Sequence, residues 1–184
     1  MEAIMNRPTF KDPIRYLSSV HRRMGEEIGK LAYYVEWKNG ALFTEVEEID
    51  VRTTLDYLGK MIPLHARDEE SSLFPHILNT GNPDANGALP VIAGLEREQE
   101  VVAGLYSTVE VLCRKWMAER SLTHLDVWEL RRSLKDLRRA HRHHVFVEEG
   151  HIFPLAEKVL CGTCRSGIVH EMLERRGLEE PIPV

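Results

Sequence analysis

The segment HARDEESSLFPHI (residues 65–77) has a second copy in the same chain, HVFVEEGHIFPLA, at residues 144–156. The copies share a His, two consecutive Glu and a Phe-Pro pair, and each shared residue lies 79 positions from its counterpart. In both copies His-x-x-x-Glu places an imidazole and a carboxylate one helical turn apart on one face. The pairs are His65 with Glu69 and His144 with Glu148. The duplication predicts the two halves of one metal site, with each helix ending around its Phe-Pro pair.

Hydrophobic periodicity predicts four long helices around these copies. The first begins at Asp12-Pro13, an N-cap followed by proline at the first helical position, and closes at Asn39-Gly40. The others are expected at about 44–78, about 90–120, and from near 121 to Phe153-Pro154 or one turn beyond.

Strand-type alternation is nearly absent, so the fold class expected is all-α, an antiparallel up-down four-helix bundle. The bundle should occupy residues 12–160, after a leader at 1–11. The tail at 161–184 should carry a short helix near 166–176 that caps one end of the bundle.

Composition narrows the classes of function. A net charge of −5 argues against nucleic acid as a partner. No apolar run approaches the roughly 18 residues that suggest a membrane span. The first residues lack the features of a secretory signal, and three cysteines are too few for a disulfide framework. A cytoplasmic location is therefore expected.

Polar residues interrupt the apolar stripe of every long helix: His21 on the first, His65 and Glu69 on the second, Gln99 on the third, His144 and Glu148 on the fourth. A single His on such a stripe is usually a core residue with its hydrogen bonds satisfied. Two carboxylates buried with three imidazoles are costly unless they neutralise one another or bind cations. This ligand set suits iron, manganese or zinc.

The order of the residues resembles one family. Ferritin-like bundles use Glu-x-x-His, whereas this chain has His-x-x-x-Glu twice. The chain is similar to the hemerythrin/HHE cation-binding domains through DPIRYLSSVHRR, HARDEESSLFP, LEREQEVVAGL and HVFVEEGHIFP, which span roughly residues 12–156. The resemblance implies a non-heme di-iron centre, with His21 and His65 on one iron, His144 on the other, and Glu69 and Glu148 shared.

The third helix departs from the family pattern. Where relatives have Glu-His-Glu, this chain has Glu98-Gln99-Glu100, and the further His of the oxygen carriers is Ala103. Three outcomes stay open: Gln99 binds weakly through its carbonyl oxygen, the second metal position is open or partly filled, or another residue replaces the missing His.

Two histidines are candidates for that replacement. His151 follows Glu148 by three residues, on what should be the same face, and His141 lies one turn before His144. Each is better interpreted as a residue outside the ligand set. Glu149 competes with Glu148 for the last carboxylate position, but the register of the repeat favours Glu148.

The predicted function is iron-dependent binding or sensing of oxygen, or of a related small oxidant such as nitric oxide or peroxide, or of iron itself. The iron is expected as a di-iron or a mononuclear centre. Alternatives are a di-iron oxidase or peroxide-decomposing enzyme, and a scaffold with a partly vestigial site. A second copy of the chain, in a homodimer, is a further candidate partner.

Cys161-Gly-Thr-Cys164 has the spacing of a redox pair or of half a zinc site. The chain has no second such pair and no βαβ context. Two ordinary thiols in a turn are therefore expected, with a redox-responsive or intersubunit disulfide as the alternative.

Overall fold

The structure is a computed structural model that describes residues 12–178. It contains ten consecutive helical segments, two of them π-helical, and no strand within that range. The predicted leader at 1–11 and residues 179–184 of the tail lie outside the described part. In chain order the segments are α1 (Pro13–Lys38), α2 (Glu45–Asp68), π1 (Glu69–Leu73), α3 (Phe74–Leu78), α4 (Pro83–Asn86), α5 (Leu89–Glu119), α6 (His124–Val147), π2 (Glu148–Ile152), α7 (Phe153–Val159) and α8 (Gly162–Glu174).

Four long helices form the body of the molecule. Helix α1 packs against α2 and α6, and α5 packs against the same two helices, so each long helix has two long neighbours. Their apolar stripes meet in one core that includes Leu17, Leu55, Leu95 and Leu130, each no more than 1% exposed. The all-helical class is confirmed, although the described residues form more helical segments than the four long helices and one short helix expected. None of these segments is both long and apolar enough to cross a membrane.

The helix boundaries follow from their caps. The Asp12 carboxylate accepts hydrogen bonds from the backbone N–H groups of Ile14 and Arg15 at the start of α1. Thr44 begins α2 with a capping box, and Thr123 does the same for α6. After α1, Gly40 has a φ of +84°, and a Cβ there would lie 2.8 Å from Val127 Cγ2, so this turn requires glycine.

The helical path continues past both Phe-Pro pairs, to Leu78 and to Val159, close to the predicted ends of the second and fourth helices. The chain passes through a π turn and then continues as α3 or α7. In these turns Phe74 N–H donates to Glu69 O, and Phe153 N–H donates to Glu148 O. An α-helical path would drive each proline ring into the carbonyl four residues earlier, and the wider π turn relieves that clash. Each π turn directly precedes its Phe-Pro pair.

Helix α8 packs against π1 and α1 through Ile168, Met172 and Leu173, which are buried. It begins at Gly162, four residues earlier than predicted, because Cys161 serves as its N-cap. A disulfide joins Cys161 to Cys164 within the chain. The expectation of two ordinary thiols is therefore wrong.

Candidate metal centre

Four predicted ligands meet in the core: His21, His65, Glu69 and Glu148. One ligand atom from each lies within 4.8 Å of the others. All four side chains are buried, with at most 4% of any residue exposed. His21 comes from the middle of α1 and His65 from the last turn of α2, while each Glu is the first residue of a π turn. The repeat thus places two carboxylates at equivalent positions around one point.

The spacing of these atoms fits a bound cation. His21 Nε2 lies 2.9 Å from His65 Nε2 and 3.0 Å from Glu148 Oε2. His65 Nε2 lies 3.1 Å from Glu69 Oε1. Adjacent ligands at right angles around an ion, each bound at about 2.1 Å, are separated by about 3 Å. The nitrogens and oxygens therefore stand as far apart as neighbouring ligands of one ion.

His144 lies against both carboxylates but outside this tightest group. Its Nε2 is 3.2 Å from Glu148 Oε2 and 3.8 Å from Glu69 Oε2. Its ring centroid is 6.4 Å from that of His21, whereas the His21 and His65 centroids are 4.7 Å apart. Each carboxylate thus lies close both to the His21–His65 pair and to His144. Two ions that share the carboxylates would need this arrangement.

Several buried ligand atoms have no hydrogen-bond partner. They are Glu69 Oε1, both carboxylate oxygens of Glu148 and His144 Nε2. Buried polar atoms in proteins are nearly always hydrogen-bonded, so such a group needs an explanation. Cation binding satisfies all of them together, and we conclude that the donor set fits a metal.

Gln99, the predicted third-helix member of the site, lies beside Glu69. Its side-chain amide nitrogen donates a hydrogen bond of 2.6 Å to Glu69 Oε2, while its Oε1 is buried without a partner. The residue therefore holds one of the two carboxylates. Beside it, with Ala103 in the wall, lies a cavity of about 270 Å³. The cavity is lined by His65, His141 and His144 and by apolar residues of three helices, Met24, Ile62, Val102 and Ala103.

His151 and His141, the two candidates for the missing ligand, lie in different environments. His151 is exposed, so it does not share the buried face of Glu148 as expected. The cause is the π turn that begins at Glu148, because its wider spiral rotates the third following residue away from the core. His141 is only 6% exposed, lines the cavity, and has a buried Nε2 without a partner. Burial lowers the pKa of His141 to about 4, so this imidazole is neutral.

Glu149 supports the site from outside. Its side chain is 44% exposed, and its Oε1 lies 3.1 Å from His21 Nδ1. A carboxylate on the second ring nitrogen fixes the orientation of a metal-binding histidine and makes it a better ligand. The structure thus places Glu148 in the core and Glu149 behind His21.

An ionic cluster that the sequence analysis did not predict lies next to Glu69. Asp68 is fully buried, and Arg175 Nε and Arg176 Nη1 each donate to its Oδ1 at 3.1 Å. Arg175 also donates to Ser72, and Arg176 Nη2 to the Tyr16 hydroxyl at 3.0 Å. The tail after α8 therefore holds π1 in place. The one signal in the sequence was the charged Asp68 beside Glu69 on a buried face.

Comparison with known proteins agrees with this geometry. Residues 12–156 match the family described as the hemerythrin HHE cation binding domain. The chain belongs to that family. No curated protein matches the chain. Domains of the hemerythrin HHE family bind metal cations, and the buried His and Glu side chains of this chain form a site capable of doing so.

The electrostatics of this hemerythrin-type site follow from burial and from the close carboxylates. Burial opposes a charge on His21, but the adjacent carboxylates of Glu148 and Glu69 outweigh it and raise its pKa to about 10. The same balance raises the pKa of His144 to about 10. Burial and the nearby His21 charge lower the pKa of His65 well below 6.5. Burial and the charge of Glu148 raise the pKa of Glu69. Without a metal, protons on His21 and His144 therefore offset the charge of the carboxylates, and metal binding would release these protons.

Proposed function

We propose that this protein binds iron in its core and uses it to bind or sense oxygen or a related small oxidant. The observation that carries the proposal is the convergence of four buried ligand atoms, supplied in part by a duplicated His-x-x-x-Glu motif, within 4.8 Å. Imidazole and carboxylate ligands suit iron, with manganese and zinc as competing ions. The proposal includes a cytoplasmic location and an up-down antiparallel order of the four long helices.

Each side chain has a separate role in the proposal. His21 and His65 would hold one ion, and His144 would hold a second beside the cavity. Glu69 and Glu148 would be shared, because each lies close to histidines of both groups. A bound iron would supply the redox chemistry toward a small oxidant.

The surrounding residues would shape that chemistry. Glu149 would keep His21 oriented through Nδ1, and Gln99 would hold Glu69 by its amide. The cavity would admit the oxidant to the side of the centre where a third-helix histidine is missing.

The cavity also favours a second candidate function, a di-iron oxidase or peroxide-decomposing enzyme. A water molecule occupies about 30 Å³ in the liquid, so 270 Å³ exceeds what dioxygen needs. Reversible oxygen carriage in this family relies on five His ligands, and the described core places only three next to the two carboxylates. The site is therefore more consistent with an open, reactive metal position than with reversible oxygen carriage.

Metal analysis of protein purified without a metal-affinity resin tests the proposal. We expect iron, with charge-transfer absorbance that grows when Fe(II) and air are added. About two irons per chain would support the di-iron form, and one ion would indicate that only the His21–His65 side binds. Turnover of hydrogen peroxide would favour the enzyme. No metal after anaerobic loading with Fe(II) would overturn both candidates and leave a scaffold.

A further inference from the structure

The Cys161–Cys164 disulfide lies at the solvent-facing start of α8, separate from the ligand cluster. Its two sulfurs are bonded across only three positions of sequence. Cys161 is exposed and Cys164 is half-buried. A bond of this kind closes a very short loop, so it constrains the unfolded chain little compared with a long-range disulfide. Exposure and short span make it accessible to chemistry that a buried structural disulfide would resist.

The surroundings of Cys161 stabilise a negative charge on its sulfur. The backbone N–H of Cys164 donates to Cys161 Sγ at 3.2 Å, and Thr163 Oγ1 lies 3.0 Å from the same sulfur. Cys161 is also the N-cap of a 13-residue helix, whose N-terminus carries partial positive charge. Helix N-termini and donated hydrogen bonds are the features that favour thiolates in reactive cysteines.

We propose that Cys161 and Cys164 form a redox site that exchanges electrons with protein dithiols. In reduction, a partner thiolate attacks Cys161 Sγ, the Cys161–Cys164 bond breaks, and Cys164 leaves as a thiolate that takes up a proton. The second partner thiol then loses its proton and attacks the partner sulfur of the mixed disulfide. Cys161 leaves as the thiolate that the Cys164 N–H and Thr163 stabilise. Two electrons and one proton pass to the pair, which ends as the Cys161 thiolate and the Cys164 thiol, and the partner dithiol becomes a disulfide.

The third cysteine cannot take part in this exchange. Cys113 is 1% exposed within the core of α5, and burial raises the pKa of its thiol to about 12. It therefore has neither the access nor the thiolate that exchange requires. The chain provides one two-electron pair and one inert thiol.

The test equilibrates the folded protein in buffers with graded ratios of reduced to oxidised dithiothreitol, then blocks free thiols with a maleimide reagent. Intact mass spectrometry counts the labels. We expect no label in the most oxidising buffer and two labels in the most reducing one. Between them, the ratio of dithiol to disulfide protein should change tenfold for each tenfold change in the ratio of reduced to oxidised dithiothreitol. Cys113→Ala should leave this curve unchanged, and Cys161→Ser should give one label at Cys164 in every buffer.

Thr163→Val sharpens the assignment of the reactive sulfur. The pH at which Cys161 is labelled at half its maximal rate should rise, because its thiolate loses a hydrogen-bond donor. Three results would overturn the proposal: two labels in the most oxidising buffer, a disulfide that resists reduction until the protein unfolds, or a disulfide-linked dimer on a non-reducing gel. Circular dichroism confirms that each variant is folded before labelling.

Discussion

The two copies of His-x-x-x-Glu carry the same ligands on different supports. In the first copy Glu69 is held by Gln99, and its neighbour Asp68 is buried under Arg175 and Arg176. In the second copy, the residue that corresponds to Asp68 is Val147, which has no charge. Glu148 instead has imidazoles on two sides, His21 at 3.0 Å and His144 at 3.2 Å.

This difference shows that duplication of a ligand motif does not duplicate its surroundings. The second carboxylate of each copy makes the same point. Glu149 contacts His21, whereas its counterpart Glu70 is exposed at the edge of the cavity. Metal ligands need defined positions, and this chain fixes the two halves by unrelated contacts. The copies should therefore respond differently to equivalent substitutions.

Removal of either buried carboxylate should have the largest effect. Glu69→Ala and Glu148→Ala should each abolish binding of paired ions, because each carboxylate lies close both to the His21–His65 pair and to His144. Elemental analysis after Fe(II) loading measures the loss. Glu70→Ala, next to Glu69 but exposed, is the matched control and should bind normally. Unchanged metal content in both alanine variants would contradict the shared-carboxylate assignment.

The ionic cluster under the first copy should matter for folding. Asp68→Asn removes the charge that pairs with two arginines, and breaking such a buried pair costs about 3 kcal/mol of unfolding free energy. Urea unfolding of the metal-free protein, followed by circular dichroism, gives that value. Val147→Ala, at the same register in the second copy, should cost about 1 kcal/mol. Equal losses would mean that the arginines do not stabilise π1.

Glu149 and its counterpart Glu70 should differ in their effect on metal affinity. Glu149→Ala should weaken metal binding about tenfold, since His21 loses the partner of its Nδ1. The equivalent change in the first copy, Glu70→Ala, should leave affinity unaltered. Competition with a coloured chelator compares the two variants. If both variants bind alike, Glu149 does not orient His21.

Restoring the missing imidazole should have the smallest effect, a partial gain. Gln99→His should raise the iron content of the second position, because imidazole is a better ligand for iron than an amide oxygen. Gln99→Leu keeps a similar volume without a ligand atom and should show no gain. Iron per chain, measured by elemental analysis, decides between them. Equal iron in both variants would show that residue 99 lies away from the second position.

Much of the site could be read from local patterns. The spacing in each copy defined which His and Glu share a helix face, and the stripe on α1 singled out His21. The start of α1 at Asp12-Pro13 was also predictable, because capping depends on neighbouring residues alone. Hydrophobic periodicity predicted the helical class for the same reason, because it acts within a few turns of chain.

Other features required the tertiary structure. The π turns rotated His151 out of the core, and only the folded chain shows these turns. Asp68 meets Arg176 across 108 positions of sequence, and Gln99 meets Glu69 across 30. Such contacts depend on how helices pack against one another, which no local spacing encodes. The sequence by itself determined the candidate ligands and their helix faces, because both depend on spacing along one helix, whereas the tertiary structure decided which side chains hold each of them in position.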